Sequence, residues 1–468
     1  MPPNPAENPS RNGRERQPSS HRNGGTATSS LGQRPPLVKS LPFIGPLPQF
    51  LGDVLPFVNK QRATYGDAFR LRMANVEMTC LMGAEAIALL ERGTALRTSK
   101  SMHVLDSELQ SCLPSTFDGP QHEMFRKAHH QFMNAKLEAR RRSDIAACLQ
   151  KHSDAWLPGT ELDVLHEAQV QTVDVLSILL NGEPLPFAKK DLALVVHTLI
   201  WTTFGHAPKL VLKNPFYRSA QKRMRAHLLD LVRRLRKNPE RARETLVGRY
   251  LGLEPPIGRT GWEDRDLVAV PYSAYLAGFD TVASASSFLL YRLLTNPNVL
   301  AEVRKEFAVL SRDTDEPVNP LSQRYLRAAF LETVRLNPPG TAVLRIAERD
   351  FEFAGYTIRK DDEILVVIAS DHLDPTIFPN PNHFDPSRFL GSNATELKQH
   401  VRPFGSGSHR CTGFFIGEMV AIDLVSHWVN QFDLAVVPEG KTVRPVARPF
   451  TQPDGLKAKV LGPRSAVH

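Results

Sequence analysis

The residues from Pro403 to Gly413 constrain the fold of this chain more than any other stretch. They read Pro-Phe-Gly-Ser-Gly-Ser-His-Arg-Cys-Thr-Gly, so one cysteine stands in a glycine-rich loop directly after a histidine and an arginine. The apolar run that follows has helical spacing and predicts a helix just beyond the loop. Backbone N–H groups and the dipole at a helix start stabilise a thiolate. The sequence therefore predicts that Cys411 is a soft, anionic metal ligand.

The glycines of this loop indicate the shape of the ligand. Gly405, Gly407 and Gly413 are expected to supply backbone angles that side chains disfavour. Because they have no Cβ atom, they also let a flat ligand approach the main chain closely. The alternative is a buried free cysteine in an ordinary loop, which is the usual environment of a lone cysteine.

The spacing of Phe404, Gly407, His409 and Cys411 resembles the haem-binding loop of the cytochrome P-450 monooxygenases. Most members carry Arg at the position of His409, whose charge depends on pH. The resemblance implies haem b as the cofactor, Cys411 as its iron ligand, and Phe404 and Gly405 among the cofactor-binding residues. It also implies a mainly α fold with a small β-rich lobe, in which the haem lies between a central distal helix and the helix after the cysteine loop.

Composition favours a globular protein of a reducing compartment, for which we expect the cytoplasm. Hydrophobic residues make up 41% of the 468 residues, which is enough for an extensive core. The four cysteines show no paired spacing that would suggest a disulfide framework or a zinc site. The net charge of +9 permits acidic partners or an anionic membrane surface. No helix-turn-helix, zinc-finger or aromatic-basic pattern favours nucleic acid.

The N-terminal composition predicts a boundary between a tail and a folded domain. Residues 1–36 are nearly free of large apolar side chains and are expected to be a disordered tail. Residues 37–468 are expected to form one catalytic domain, as the resemblance implies, and a monomer. Prolines and glycines break the apolar stretch Pro35–Val58, so no transmembrane anchor is expected. Peripheral membrane contact through Pro42–Leu55 stays an open alternative. The basic stretch Arg223–Arg249 is expected either to be a solvated helix face or to contact anionic lipid.

The stretch Asp266–Leu294 is long, apolar and helix-like, with Ala-Gly-Phe-Asp-Thr at residues 277–281 in its middle. A glycine inside a helix costs about 1 kcal/mol relative to alanine, so Gly278 needs a local reason. One possible reason is a groove for dioxygen. The other is close helix packing, beside a Thr281 whose hydroxyl donates to the backbone carbonyl one turn earlier. The stretch resembles the oxygen-binding segment of the family's central helix. The resemblance implies that Asp280 and Thr281 relay protons and favours monooxygenation over peroxide isomerisation.

Four cationic side chains are candidate ligands of the haem propionates. His122 and Arg126 are four residues apart and share one face of a predicted helix, which by itself is typical of a solvated surface. In the resembled family an H-x-x-x-R pair at this place reaches the propionates, and cations suit such carboxylates. Arg345 resembles the family's second propionate-binding Arg, with Arg349 as the alternative. His409 completes the set.

A structural network is expected before the cysteine loop. Glu332 and Arg335 lie three apart on a predicted helix, Leu326–Leu336, and resemble the family's E-x-x-R motif. Arg388, in a P-x-R-F segment, is expected to join them in a buried triad. Short strands are expected at Phe351–Ile358 and Glu363–Ile368, and a hairpin at 68–79 with its turn at Ala74-Asn75.

The sequence thus predicts a haem-thiolate monooxygenase that inserts one oxygen atom of dioxygen into a lipophilic substrate. Electrons are expected to pass from NAD(P)H through a reductase to a ferredoxin or flavodoxin and then to this chain. The ferredoxin or flavodoxin is expected to dock near Lys127, Arg402 and Arg410. Two alternatives stay open, a peroxide-dependent peroxygenase or isomerase and a non-catalytic haem sensor. The loops expected to shape the pocket are Ser99–Asp118, Trp201–Pro208, Thr341–Val343 and Phe450-Thr451.

Overall fold

The computed structural model describes residues 32–40, 45–73, 76–99, 102–109, 118–185, 187–205, 207–255, 260–312, 314 and 316–464. Several predictions therefore fall wholly or partly outside the described residues. They concern residues 1–31 of the N-terminal tail, residues 42–44 of the Pro42–Leu55 stretch, the hairpin turn at Ala74-Asn75, half of the Ser99–Asp118 loop, residue 206 of the Trp201–Pro208 loop, and residues 465–468 at the end of the predicted domain.

Helices dominate the fold, as the sequence predicts. The described helices are α1 (Leu47–Gly52), α2 (Val54–Tyr65), α3 (Gly83–Arg92), α4 (His103–Leu109), α5 (Pro120–Phe132), α6 (Ala135–Ser153), α7 (Val164–Asn181), α8 (Lys189–Thr203), α9 (Pro215–Lys237), α10 (Pro239–Arg243), α11 (Leu246–Leu251), α12 (Asp264–Leu294), α13 (Pro297–Leu310), α14 (Arg324–Leu336), α15 (Ala394–His400) and α16 (Phe414–Gln431). Short 3₁₀ helices span Lys209–Lys213, Pro320–Ser322 and Pro386–Phe389. No helix within the described ranges is long and apolar enough to cross a bilayer.

The strands form a small lobe beside the helices. They are β1 (Ala68–Met73), β2 (Val76–Leu81), β3 (Leu96–Thr98), β4 (Glu161–Asp163), β5 (Val343–Ala347), β6 (Phe351–Phe353), β7 (Tyr356–Ile358), β8 (Glu363–Val366), β9 (Phe432–Val437), β10 (Pro445–Ala447), β11 (Thr451–Pro453) and β12 (Lys457–Pro463). The main sheet has the order β1-β2-β8-β5-β3, and β4-β12-β9 form a second sheet. The antiparallel pairing of β1 with β2 confirms the predicted hairpin strands.

Residues 34–37, at the predicted boundary between tail and domain, contact the β-rich lobe. Arg34 donates two hydrogen bonds to Asp362, at 2.7 and 2.8 Å. The Arg70 N–H donates to the Pro36 carbonyl at 2.7 Å, and Leu37 forms a parallel bridge with Arg70. Composition misses these contacts because they are made by the backbone and one arginine rather than by apolar side chains.

The central helix α12 extends the predicted range by two residues at its N-terminus. Its start is fixed by a capping box, in which the Glu263 and Asp266 side chains accept reciprocal backbone hydrogen bonds. Pro271 is accommodated inside the helix, and most of the helix is buried. Packing against α7, α9, α14 and α16 places α12 at the centre of the main hydrophobic core.

The basic triplet Arg140–Arg142 and the basic stretch Arg223–Arg249 differ in their surroundings. Arg142, on α6, is buried and donates to both carboxylate oxygens of Asp423, at 2.7 and 2.6 Å, beside Glu138. It is therefore a core ion pair rather than a surface charge. The arginines of α9 are mostly solvated, but several pair with acids of other segments, as Arg223 does with Asp191 on α8 and Arg234 with Glu183 just after α7.

The predicted triad is present and buried. Arg335 donates to both oxygens of Glu332, at 2.7 and 2.8 Å, and neither side chain is exposed. Arg388, on the 3₁₀ helix, donates to the Glu332 Oε1 atom at 3.3 Å, and the Asp385 N–H donates to the same oxygen at 3.0 Å. Each removed partner would leave an uncompensated buried charge or unsatisfied donors.

We expect Glu332→Gln to lower the free energy of unfolding by about 3 kcal/mol or more, because two arginines would lose their counter-ion. Chemical denaturation of the haem-loaded protein measures this loss. The matched control is Glu302→Gln, since Glu302 is exposed on α13 and pairs with Lys305 at only 3.8 Å; it should cost less than about 0.5 kcal/mol. Equal losses in the two variants would contradict the prediction.

His372 connects this triad to the residues before the cysteine loop. The Arg402 N–H donates to its Nε2 atom at 3.1 Å, so the proton of the neutral ring lies on Nδ1, which donates to the Arg335 carbonyl at 3.1 Å. Burial lowers the pKa of His372 from 6.5 to about 3. If Nε2 of His372 were also protonated, it could no longer accept the hydrogen bond from the Arg402 N–H, and two N–H groups would face each other.

This arrangement predicts a loss of stability in acid. Above pH 6.5 His372 is neutral in both folded and unfolded chains, whereas below it only the unfolded chain takes up the proton until pH approaches 3. We therefore expect His372 to reduce the free energy of unfolding by about 2 kcal/mol between about pH 7 and pH 5. Urea unfolding of the wild type and His372→Gln at both pH values should show a smaller pH dependence in the variant. Parallel pH profiles would contradict the prediction.

Candidate functional site

The cysteine loop is held by its own backbone hydrogen bonds. The Cys411 N–H donates to the Phe404 carbonyl at 2.8 Å, which closes the loop across seven residues. The Gly405 N–H donates to the Arg402 carbonyl at 3.1 Å. Gly413 caps the N-terminus of α16, so the predicted helix after the loop is present. The thiol therefore lies just before a helix start, as the sequence indicates.

Two of the three loop glycines adopt the conformation that the sequence predicts. Gly405 and Gly407 have φ angles of +73° and +74°, in the region that favours glycine. A Cβ atom at position 407 would lie 2.0 Å from the Leu90 carbonyl oxygen. The expectation for Gly413 is wrong, because its φ of −92° suits any residue. Its N–H instead acts to lower the pKa of the Cys411 thiol.

Opposing influences act on the thiol of Cys411. Desolvation within the protein raises its pKa, while the Gly413 N–H and the guanidinium groups of Arg126 and Arg410 act to lower it. Cys411 nevertheless keeps exposed surface, in contrast to the buried Cys80. An accessible sulfur beside a backbone donor and two cations is a suitable ligand for a soft metal, which binds the thiolate and removes the proton.

The predicted propionate ligands His122 and His409 come together. Their rings stack with centroids 4.0 Å apart and planes inclined by 21°. His122, from α5, is buried, and this burial followed by the charge of His409 lowers its pKa to about 4. His122 is therefore neutral at physiological pH.

Asp118 is a member of this cluster that the sequence did not single out as a site residue. The His409 Nε2–H donates to its Oδ1 atom at 2.7 Å, and the Thr98 N–H donates to its Oδ2 atom at 3.1 Å. Desolvation opposes ionisation of Asp118, but these hydrogen bonds prevail and hold its pKa at about 2. The carboxylate therefore partly neutralises His409. The one sequence signal for this role is that Asp118 lies just before α5, the helix that carries His122.

The two predicted arginines reach the same region from different elements. Arg126, one turn after His122 on α5, donates to the Arg410 carbonyl and lies close enough to Cys411 to influence its charge. Arg345, on β5, is half-buried and donates to the Leu344 carbonyl at 2.7 Å. Burial lowers the pKa of Arg345, with Asp118 acting in the opposite direction. The alternative, Arg349, is exposed, so the structure favours Arg345.

On the distal side, Gly278 serves helix packing. A Cβ atom at this position would lie 2.5 Å from the Leu176 Cδ1 atom on α7, so the glycine lets α12 and α7 approach closely. The neighbouring Ala277 is exposed. Of the two predicted reasons for this glycine, the structure favours packing over a groove for dioxygen, because α7 fills the space beside it.

Asp280 and Thr281 differ in their surroundings. Asp280 is completely buried, and its Oδ1 atom accepts hydrogen bonds from Gln169 at 2.8 Å and His197 at 3.3 Å. Its Oδ2 atom has no hydrogen-bond partner among the described residues. Thr281 is half-buried and donates its hydroxyl proton to the Ala277 carbonyl at 2.7 Å. The oxygen of Thr281 therefore presents lone pairs on the exposed side of α12.

His197 and Gln169 are further candidates that sequence reasoning missed. His197 lies on α8 with its side chain 46% exposed, and it connects solvent-accessible surface with the buried Asp280. Its ring also contacts Phe279 edge-on, with centroids 5.8 Å apart. Gln169 lies on α7. Neither residue belongs to a recognisable local pattern, so only the packing of three helices reveals them.

The donor set of the loop side fits haem. The accessible Cys411 sulfur is a soft ligand, and Gly405 and Gly407 remove side chains from the loop. His122, Arg126, Arg345 and His409 gather cationic or donor groups for two carboxylates, although His409 already has an acidic partner.

The basic surface near the loop is smaller than predicted. Lys127 and Arg410 are exposed, and Arg410 also covers the Phe414 ring, 4.3 Å from its centroid. Arg402 donates to Asp371 at 3.1 Å and is mostly buried, so its charge is neutralised within the protein.

Away from the loop, Cys148, His152 and Asp174 place metal-type ligand atoms within 4.8 Å of one another. However, the Lys189 ammonium donates to the Asp174 Oδ2 atom at 2.6 Å, and His152 donates to the same oxygen at 2.8 Å. A protein cation thus already satisfies the carboxylate, and the cluster is an ion-pair network.

We expect Gly407→Ala to reduce both haem content and stability, because its Cβ atom would collide with the Leu90 backbone at a positive φ. The free energy of unfolding should fall by about 2 kcal/mol or more. Haem per polypeptide and chemical denaturation measure the two effects. Gly340→Ala is the control, since nothing lies within 4 Å of the added atom. Full haem loading of Gly407→Ala would overturn the assignment of this loop.

Comparisons with known proteins agree with this geometry. The family model for cytochrome P-450 matches residues 35–459. A cyclooctat-9-en-7-ol 5-monooxygenase of Streptomyces melanosporofaciens is 26% identical over 329 residues, 68% of this chain and 71% of the relative. A sterol 14alpha-demethylase of Mycolicibacterium vanbaalenii is 25% identical over 86% of this chain and 94% of its own.

A solved structure shares the fold. Retinoic acid-bound cyanobacterial CYP120A1 superposes with a TM-score of 0.79 at 22% identity, covering 92% of this chain and 99% of that one. The expected mainly α fold with a small β-rich lobe is thereby confirmed.

Proposed function

Because the chain belongs to the cytochrome P-450 family, we propose that it is a haem-thiolate monooxygenase acting on a lipophilic small molecule. The chain is an oxidoreductase of a haem-binding family, with relatives named as a monooxygenase and a demethylase. The observation that supports monooxygenation best is the buried Asp280 beside Thr281 on α12, with one carboxylate oxygen that no described residue hydrogen-bonds.

The loop side would hold the cofactor. Cys411 binds the iron as a thiolate, and Phe404 and Gly405 form part of the adjoining surface. His122, Arg126, Arg345 and His409 bind the two propionates, with the neutral His122 contributing hydrogen bonds rather than charge. When bound, the haem supplies the redox chemistry that activates dioxygen.

The distal side would manage protons. The Thr281 hydroxyl gives its own proton to the Ala277 carbonyl, so its oxygen can accept a hydrogen bond and orient a protonated ligand or a water molecule. Asp280 holds a proton at Oδ2 or releases it there, because Oδ1 is occupied by Gln169 and His197. His197 is half-exposed and can exchange protons with solvent.

Lipophilic isoprenoids are the first substrates to test. Two relatives carry names that mention cyclooctat-9-en-7-ol and a sterol, both of which are isoprenoid in origin. Electrons would come from NAD(P)H through a ferredoxin or flavodoxin with its reductase. The exposed Lys127 and Arg410 beside the cysteine loop support docking of an acidic partner. Cysteine usage supports the cytoplasm as the proposed compartment.

The decisive experiment compares two ways of driving the reaction. A panel of isoprenoid alcohols and sterols is first screened for a shift of the Soret band. The best binder is then incubated either with NADPH, ferredoxin and its reductase, or with peroxide alone. Oxygenated product in proportion to NADPH supports the monooxygenase. Product with peroxide only indicates a peroxygenase or isomerase, and binding without either product indicates a sensor.

We expect Asp280→Asn and Thr281→Ala to lower product formed per NADPH consumed by about tenfold, with the difference appearing as hydrogen peroxide. The reason is that proton delivery would fail while electron supply continues. Ser287→Ala is the control, because Ser287 lies on the same helix, is buried and donates its hydroxyl proton to the Ala283 carbonyl. The carbon monoxide spectrum should be unchanged in all three variants. Full coupling in Asp280→Asn would refute the proton role.

A further inference from the structure

An open cleft of about 670 Å³ lies between the start of α8 and the middle of α9. Its lining also includes residues of the segment that joins α7 to α8. The volume is typical of small-molecule sites, which span roughly 300–1,000 Å³. None of the described residues that line it belongs to the cysteine loop or to the Asp280–Thr281 pair. The cleft is therefore a candidate ligand site separate from that of the haem.

An ion pair turns its positive side towards the cleft. Arg223 donates to both carboxylate oxygens of Asp191, at 2.7 Å each, and its Nη1 atom donates to the Ser219 hydroxyl at 2.6 Å. The Asp191 side chain is 8% exposed, whereas that of Arg223 is 53% exposed. The carboxylate is covered by its own partner, so the exposed part of this pair is the guanidinium.

Lys190 adds a charge that this pair does not cancel. It is exposed and forms no ion pair within the described part of the chain. Asp191 is the one acid among the described lining residues, and it is already neutralised by Arg223. Lys190 therefore leaves the cleft with one net positive charge. His227 also lines the cleft and offers a ring with two nitrogen atoms.

The rest of the lining is apolar. Phe187 is buried, and its ring contacts both His227 and Tyr275 of α12, with centroids 6.2 and 6.1 Å apart. Leu185 and Ala188 line the cleft near it. The cleft thus combines cations with an apolar surface that packs on the central helix.

We propose that this cleft binds a small organic monoanion, a carboxylate with an apolar body. Guanidinium and ammonium groups suit a carboxylate, and the apolar body would cover the Leu185 and Phe187 side chains. A phosphate monoester carries a charge of about −1.5 to −2 at neutral pH, which exceeds the net charge of the cleft. A single carboxylate is therefore the better match. An uncharged molecule of the same shape would lose the ion pair with Lys190.

The test is equilibrium dialysis of naphthoate against the full-length, haem-loaded protein in the presence of saturating phenylimidazole. Phenylimidazole occupies the haem side, which its shift of the Soret band verifies, and so keeps the probe from that pocket. The wild type should bind one naphthoate per chain. Naphthalenemethanol, which has the same rings without the charge, should bind about fivefold more weakly or less. Naphthyl phosphate should bind no more tightly than naphthoate.

Two variants test the charge and the space of the cleft. Lys190→Gln should weaken naphthoate binding by about threefold or more and leave naphthalenemethanol unaffected, because only the anion meets the lost cation. Ala188→Phe should nearly abolish binding of both probes, because the added ring fills the cleft. An unchanged carbon monoxide spectrum would show that each variant is folded.

Matched controls separate the cleft from general effects. Lys222→Gln removes an exposed lysine of α9 that does not line the cleft, and Ala301→Phe adds a ring at an exposed position of α13. Both controls should bind naphthoate as the wild type does. Equal losses in a control and in its matched variant would overturn the proposal.

The probes supply three further outcomes that would overturn it. The first is absence of naphthoate binding to the wild type once phenylimidazole saturates the haem. The second is equal binding of naphthoate and naphthalenemethanol, which would show that the charge is not recognised. The third is tighter binding of naphthyl phosphate, which would assign the cleft to phosphate esters instead of carboxylates.

Discussion

A buried ion pair on α14 determines how the cysteine loop is held. Glu332 neutralises Arg335, which leaves a guanidinium N–H of Arg335 free to donate to the His372 carbonyl at 2.6 Å. The ring of His372 in turn accepts the Arg402 N–H, one residue before the loop begins. The position of the cysteine loop therefore depends on a buried ion pair that lies on another helix. Such a network tolerates little change, because its partners are desolvated.

Much of this arrangement could be predicted from the sequence because it is encoded in local spacing. The cysteine loop, the E-x-x-R helix and the P-x-R-F segment are short patterns whose residues share one turn or one helix face. The joining of Arg388 to Glu332 is expected from the resemblance of these patterns to the family's motifs, because the two residues are 56 positions apart. The positive φ angles of Gly405 and Gly407 agree with the local expectation that glycine supplies such angles.

The sequence does not reveal contacts between distant segments. Asp118 and His409 are 291 residues apart, and His197 lies 83 residues before Asp280. No periodicity links such positions, and each is an ordinary polar residue in its own segment. Gly278 shows the same limit, because its role depends on Leu176 from another helix. Sequence reasoning could state both alternatives for this glycine, but only packing could choose between them.

The N-terminal residues 32–38 also have a protective role that follows from sheet order. β1 is the outermost strand of the main sheet, and its free edge would present unpaired N–H and C=O groups. The Pro36 carbonyl and the Val38 N–H pair with both backbone groups of Arg70. Arg34 anchors the segment on Asp362. A chain trimmed back to residue 39 would uncover a strand edge that invites self-association, so shortening for crystallisation should stop before Gly32.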